Sequence, residues 1–123
     1  MDTMQVKEML KKYFDAFYEV NVKELSRLFH DAAHLYSHDE NGALEDINKE
    51  TFMEIISSFR PNSEIPKFTR NDEILAIDFI SNDVAVARVR LRFSNSICTD
   101  ILSLMRLNGE WKIVCVLDSK EHI

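Results

Sequence analysis

The feature that most constrains the fold of this chain is the dipeptide Asn108-Gly109, which separates two apolar runs rich in strand-forming residues. Asparagine and glycine accept positive φ angles at little cost, and a two-residue turn built from them joins antiparallel strands with the correct twist. The sequence therefore predicts a β-hairpin with strands over 97–107 and 110–117.

Other strands are predicted from strand-forming apolar runs bounded by turn residues. Two lie immediately upstream, over 67–80 and 84–93, and Ser81-Asn82-Asp83 forms the turn between them. A shorter strand over 33–38 turns at 39–42 and returns through 43–47. The second half of the chain is therefore predicted to form four consecutive antiparallel strands.

Three helices are predicted before these four strands. Apolar residues recur every three or four positions over 6–20, which is typical of an amphipathic helix. Asn21, with Glu24 three residues later, has the pattern of a capping box for a second helix. Asn48 caps a third helix that ends before Pro61, and 61–66 is predicted to be a loop. Helices grouped before a run of strands indicate an α+β class, and 123 residues are expected to form one domain over 1–123.

The composition argues against several classes of function. The formal net charge of −6 repels nucleic acid and anionic membranes, and no apolar run approaches the roughly 20 residues needed to cross a bilayer. The first residues lack the pattern of a signal peptide, and Cys98 and Cys115 are isolated, so we expect reduced cysteines in a cytoplasmic protein. With two glycines in all, the chain has no Gly-rich phosphate loop, and no cofactor is expected.

Three blocks of the sequence together resemble the nuclear transport factor 2-like superfamily and, within it, the SnoaL-like and lumazine-binding-like families. The blocks are residues 13–18, Asn21 with residues 25–33, and Asp100 with Leu104 and the strand over 109–114. The resemblance covers nearly the whole chain. It implies a cone-shaped, curved antiparallel sheet packed on three N-terminal helices, a cystatin-like half-barrel that encloses an apolar pocket. It also implies a homodimer joined through the sheet.

The resemblance suggests where a small molecule would bind. Tyr13 matches a helix tyrosine with which isomerases of the superfamily stabilise an oxyanion, although a buried tyrosine can also be a core residue with a local partner. The pocket is predicted to be lined by side chains of the first helix and the strands, namely Phe14, Phe17, Leu35, Ser37, Ser103, Met105 and Trp111.

Two serines argue against isomerase chemistry. On this resemblance the general base of the isomerases falls on Ser37 and their second oxyanion donor falls on Ser103, and a serine hydroxyl is not basic near neutral pH. Asp118 is the candidate replacement as acid or base. It either points into the wide end of the pocket or begins a solvated tail over 119–123.

Asp100 and a row of three arginines are expected to have structural roles rather than catalytic ones. Asp100 shares a strand face with Leu102 and Leu104, opposite Ser103 and Met105, and is expected to pair with an arginine or to cap an edge. Arg88, Arg90 and Arg92 alternate along one strand and therefore share a face. We expect them to point outward, because three unpaired buried guanidinium groups would be costly, although the resemblance gives the opposite orientation and a cationic pocket.

The histidines His30, His34 and His38 recur every four residues, a spacing that would align metal ligands on a helix. Their segment has the pattern of a strand, on which His34 and His38 share a face with Tyr36. An exposed polar face or an interface explains this pattern, so no metal site is expected.

Three functions remain open from the sequence. The first is a dimeric binding protein for a small, apolar or aromatic molecule. The second is a cofactor-independent isomerase, cyclase or dehydratase with Tyr13 as hydrogen-bond donor and Asp118 as acid or base. The third is a dimerisation scaffold with a collapsed pocket. Nucleic acid and membranes are not expected partners.

Overall fold

Three helices and a six-stranded sheet form the protein in its computed structural model, which describes residues 3–123. In chain order the elements are α1 (Thr3–Glu19), α2 (Val22–Leu28), β1 (Phe29–His38), β2 (Leu44–Asn48), α3 (Lys49–Ser57), β3 (Glu73–Phe79), β4 (Val84–Phe93), β5 (Ser96–Leu107) and β6 (Glu110–His122). A short 3₁₀ turn, Asn62–Glu64, follows α3. The predicted α+β class is confirmed.

The strands follow the order β2-β1-β6-β5-β4-β3 across the sheet. β3 to β6 are antiparallel neighbours, as predicted, whereas β1 runs parallel to β6. The sheet is therefore mixed, and the first hairpin lies beside the last strand. Residues from the two halves of the chain meet on its inner face as a result.

Local signals in the sequence determine the turns and helix starts. Asn108 and Gly109 have φ angles of 51° and 80°, as the predicted hairpin turn requires. The Asn21 side chain accepts a hydrogen bond from the Glu24 N–H, and Asn48 accepts one from the Thr51 N–H at 2.9 Å. The Glu24 carboxylate pairs with an arginine instead of completing the capping box.

Two strands differ in length from the prediction. β3 begins at Glu73 rather than 67, because the residues before it fold against α1, where Arg70 pairs with Asp15 at 2.5 Å. β6 continues to His122, which lies opposite Ser96 at the start of β5. The solvated tail proposed to begin at Asp118 is therefore wrong.

The inner face of the sheet packs on α1 and forms the core, with Val6, Leu10 and Tyr13 of the helix almost fully buried. The arginine row lies on the outer face, where Arg90 pairs with Glu73 at 3.4 Å. Arg92 lies over the Phe68 ring. The outward orientation of the arginines is therefore confirmed.

Both cysteines are free thiols, Cys98 buried and Cys115 partly exposed. Within residues 3–123, none of the helices has the length and apolar character required to cross a bilayer.

Candidate functional site

A cavity of about 170 Å³ lies between α1, α3 and the inner face of the sheet. Its apolar walls come from α1, α3 and β4 and include Tyr13, Phe17, Phe52, Ile56, Leu91 and Phe93. Tyr13 and Phe17 point into the same space because residues four apart share a face of a helix. The ring of Phe17 packs edge-on against Phe93, with centroids 5.4 Å apart. The walls therefore suit a flat apolar group.

The opposite wall is polar and is built from four neighbouring strands. β5 contributes Asp100, β6 contributes Asp118 and Lys120, and the β1–β2 hairpin contributes Ser37 and Glu45. Asp100 lies opposite Asp118, and Ser37 lies opposite Glu45, in the strand register. The mixed topology brings these residues together from distant parts of the sequence.

Tyr13 and Asp100 form the buried inner end of this wall. The Tyr13 hydroxyl donates to Asp100 Oδ2 at 3.4 Å, and the two residues are 1% and 6% exposed. Burial, followed by the effect of the neighbouring Asp118, raises the pKa of Asp100 from 3.8 to about 9. Burial and the charge of Asp100 raise the pKa of Tyr13 well above 10. Both groups are therefore neutral at pH 7.

One oxygen of Asp100 is unsatisfied: Oδ1 is buried and has no hydrogen-bond partner within the described residues. An unpaired buried polar atom costs about 1–3 kcal/mol. A neutral carboxyl group avoids part of this cost, because its O–H can donate to Asp118 or to a ligand. The unpaired oxygen therefore marks the polar end of the cavity as a place where a ligand would be stabilised.

Asp118 and Lys120 lie further along β6. The Lys120 ammonium donates to Asp118 Oδ2, and the side chains are 53% and 11% exposed, respectively. Cys98 is the cross-strand neighbour of Lys120, and burial, followed by the charge of Asp100, raises the pKa of its thiol to about 12. Cys98 is therefore a neutral wall residue without nucleophilic character.

The structure places five of the predicted site residues at this cavity: Tyr13, Phe17, Leu35, Ser37 and Asp118. Leu35 and Ser37 share the inner face of β1 because side chains alternate along a strand. Their roles in binding or chemistry stay predictions.

Four predicted pocket residues lie elsewhere, and two of them are on the wrong face of β5. Ser103 and Met105 point outward, because the inner face of this strand carries Asp100, Leu102 and Leu104. Met105 is 37% exposed. The alternation along β5 separates its two faces as predicted, but the cavity lies on the face opposite to Ser103 and Met105.

Phe14 and Trp111 are buried away from the cavity. Phe14 follows Tyr13 on the helix and turns towards Arg70 and Ile74 on the other side of α1. Trp111 packs against Phe79 with ring centroids 5.9 Å apart. It precedes Asp118 by seven residues on β6, which places it about 23 Å away along the strand.

Among the cavity residues that sequence reasoning missed, Asp100, Glu45 and Lys120 carry acidic or basic side chains. Asp100 carried a usable signal, since a carboxyl group on a strand face that is otherwise apolar is unusual in a core. Glu45 and Lys120 carried none, because the strand pairing that brings them to the cavity is not local in sequence.

The histidines lie outside the cavity. His34 Nδ1 contacts Asp46 Oδ1 at 2.6 Å across the β1–β2 hairpin, and its ring stacks on Tyr36. No group of three or more His, Cys, Asp or Glu side chains in the range 3–123 is arranged to hold a metal ion.

Three helices packed on a six-stranded sheet, with a cavity between them, define a nuclear transport factor 2-like protein, and solved structures of this class superpose on it. An NTF2-like protein of unknown function from Shewanella baltica OS155 has a TM-score of 0.85 at 21% identity, covering 97% of this chain and 93% of that chain. A second, from Methylobacillus flagellatus KT, has a TM-score of 0.79 at 24% identity, covering 98% and 92%. A ketosteroid isomerase-like protein from Erwinia carotovora atroseptica SCRI1043 has a TM-score of 0.74 at 16% identity, covering 99% and 98%. At these identities the likeness shows the fold alone.

A match to the model of one protein family gives a more specific assignment within this class. The family described as "putative lumazine-binding" matches residues 1–117, and the chain belongs to this family. A comparison with curated proteins found no match.

Proposed function

We propose that this protein binds a small, mostly apolar or aromatic molecule in the cavity between α1, α3 and the sheet. The observation that supports this proposal is a cavity with aromatic walls that ends in a buried carboxyl group with an unpaired oxygen. A cavity of about 150 Å³ with apolar walls is known to bind benzene. The volume of about 170 Å³ therefore suits a ligand with one ring.

The geometry gives less support to a proton-transfer reaction. A phenol beside a neutral carboxyl group can stabilise a developing oxyanion, and Tyr13 and Asp100 have this arrangement. The general base is the weaker part of this hypothesis. Ser37 occupies the position that the resemblance gives to the base of the isomerases, and the ammonium of Lys120 donates to the Asp118 carboxylate. Binding is therefore the function we propose.

Closing the cavity from its polar wall is expected to abolish binding. In Ser37→Trp the indole would fill the space beside Glu45, whereas Ser119→Trp introduces the same ring on the opposite face of β6. We expect benzyl alcohol at millimolar concentration to shift the amide NMR signals of cavity residues in the wild type and in Ser119→Trp, but not in Ser37→Trp. Equal shifts in all three proteins would show that the probe binds elsewhere.

We also propose that the outer face of the sheet forms a homodimer. Ile101 and Leu117 are adjacent in the strand register there and are 40% and 50% exposed. The same cross-strand row contains Arg88 on β4 and Asp46 on β2, one on each side of these two residues. A two-fold axis perpendicular to this row would bring Arg88 of one copy opposite Asp46 of the other, so the face is complementary to itself.

A charge at the centre of this face is expected to separate the two copies. Leu117→Glu would bury a carboxylate in the apolar centre of the dimer, whereas Ile80→Glu changes an apolar residue that is 64% exposed in the β3–β4 turn. Analytical ultracentrifugation is expected to give a dimer for the wild type and Ile80→Glu, and a monomer for Leu117→Glu. A monomeric wild type would refute this part of the proposal.

A further inference from the structure

The polar wall of the cavity contains one continuous row of side chains across four strands. Asp100 and Asp118 are cross-strand partners on β5 and β6, and Ser37 and Glu45 are cross-strand partners on β1 and β2. β1 and β6 are paired up to the residues immediately before Ser37 and Asp118, so these two side chains are neighbours as well. We refer to Asp100, Asp118, Ser37 and Glu45 as the carboxyl row. All four line the cavity.

The carboxyl row has more hydrogen-bond acceptors than donors. Its three carboxyl groups have six oxygens, and the donors that face them are the hydroxyls of Tyr13 and Ser37, the ammonium of Lys120 and the single proton that Asp100 keeps. The deficit is greatest at Asp100, which is 6% exposed and whose Oδ1 has no partner. A ligand that complements this wall must therefore supply N–H or O–H donors.

One cationic group of the protein itself, the ammonium of Lys120, already lies on the carboxyl row. The Lys120 ammonium donates to Asp118 Oδ2, although more than half of the lysine side chain is exposed. The lysine side chain is long and more than half exposed, so it can turn towards solvent when the ammonium of a ligand replaces its own as the partner of Asp118. The place that it vacates is an ammonium site at the edge of an aromatic cavity.

We propose that the ligand of this cavity is a small aromatic amine in its cationic form, with one ring between the aromatic walls and its protonated nitrogen on the carboxyl row. This inference rests on the proposed binding function and names the class of ligand. The faces of Tyr13, Phe17 and Phe52 carry negative charge density, which adds a favourable contact for a cation near the rings. The net charge of −6 attracts a cation to the protein and repels an anion.

Three probes with the same ring test the charge of the ligand. Benzylamine is cationic at pH 7, benzyl alcohol is neutral and benzoate is anionic. In amide NMR titrations of the wild type, we expect benzylamine to bind about tenfold or more tightly than benzyl alcohol, as a charge-assisted hydrogen bond implies, and benzoate to bind least. Equal affinity for benzylamine and benzyl alcohol, or tighter binding of benzoate, would overturn the inference and leave the proposed function standing. If no probe shifts the signals of cavity residues, both fail.

Variants of the carboxyl row and of Lys120 are expected to change the affinity for benzylamine in opposite directions. Asp118→Asn and Glu45→Gln are expected to weaken benzylamine binding several-fold and to change benzyl alcohol binding little, and Glu45 is exposed, so its variant does not depend on the core. Lys120→Met removes the competing ammonium and is expected to tighten benzylamine binding several-fold. Glu121→Gln makes the matched change on the outer face of β6 and is expected to have no effect. Weaker binding of benzylamine to Lys120→Met, or unchanged binding to both acid variants, would contradict the inference.

Discussion

Asp100→Asn is expected to be more stable than the wild type at pH 8, by roughly 2–4 kcal/mol in the free energy of unfolding. The pKa of Asp100 rises from 3.8 in an exposed carboxyl group to about 9 in the folded protein, because the group is buried and lies beside Asp118. Between these two values the folded protein keeps a proton that the unfolded chain has lost. Raising the pH therefore favours unfolding, by up to about 1.4 kcal/mol per pH unit. Asparagine keeps the shape of the side chain and has no such proton.

Urea denaturation between about pH 5 and pH 9 measures this effect. The stability gap between Asp100→Asn and the wild type should widen as the pH rises and be smallest at the acid end. Asp78→Asn, an exposed carboxylate on β3, serves as the matched control and should follow the wild type at every pH. Parallel curves for Asp100→Asn and the wild type would mean that Asp100 ionises normally in the folded protein.

Asn62→Ala is expected to lose about 3 kcal/mol of stability, which lowers the melting temperature by about 10 °C. Asn62 is 1% exposed and joins two parts of the fold that border the cavity. Its side-chain amide donates to the Phe17 carbonyl at 3.1 Å and accepts from the Ser94 N–H at 2.9 Å. Alanine would leave the Ser94 N–H without its partner and would remove one hydrogen bond from the Phe17 carbonyl, which still accepts from the Val20 N–H at 3.2 Å. Loss of a partner costs a buried polar group about 1–3 kcal/mol.

Differential scanning calorimetry of Asn62→Ala and of Asn71→Ala, which changes an exposed asparagine in the same connection, tests this role. A loss confined to Asn62→Ala is expected. Because Phe17 and the residue before Ser94 line the cavity, the variant should also bind benzyl alcohol more weakly than the wild type. Equal melting temperatures for the two variants would mean that water or local rearrangement replaces both hydrogen bonds.

The parts of the fold that sequence reasoning predicted are those set by local chemistry. The Asn108-Gly109 turn has the φ angles that the dipeptide favours, and Asn21 and Asn48 cap the helices that follow them. Each of these signals acts within a few residues of the chain. The composition of the strands then gave the α+β class without any knowledge of pairing.

The parts that were missed depend on contacts between distant residues. Alternation on β5 separated Asp100 from Ser103 and Met105, but only the packing of α1 against the sheet decides which set faces inward. Asp118 resembled the start of a tail because polar residues follow it. The pairing of 118–122 with the start of β5 keeps them in the sheet. Glu45 reaches the cavity through a hairpin that pairs with a strand from the other end of the chain.

A crystal structure of the protein with benzylamine tests the central claim most directly, because it shows the cavity and its occupant together. We expect density for one ring in the cavity, packed against Phe17 and Phe52, with the nitrogen within hydrogen-bond distance of Asp100 or Asp118. A cavity closed by its own side chains, or benzylamine bound only on the outer surface, would contradict it.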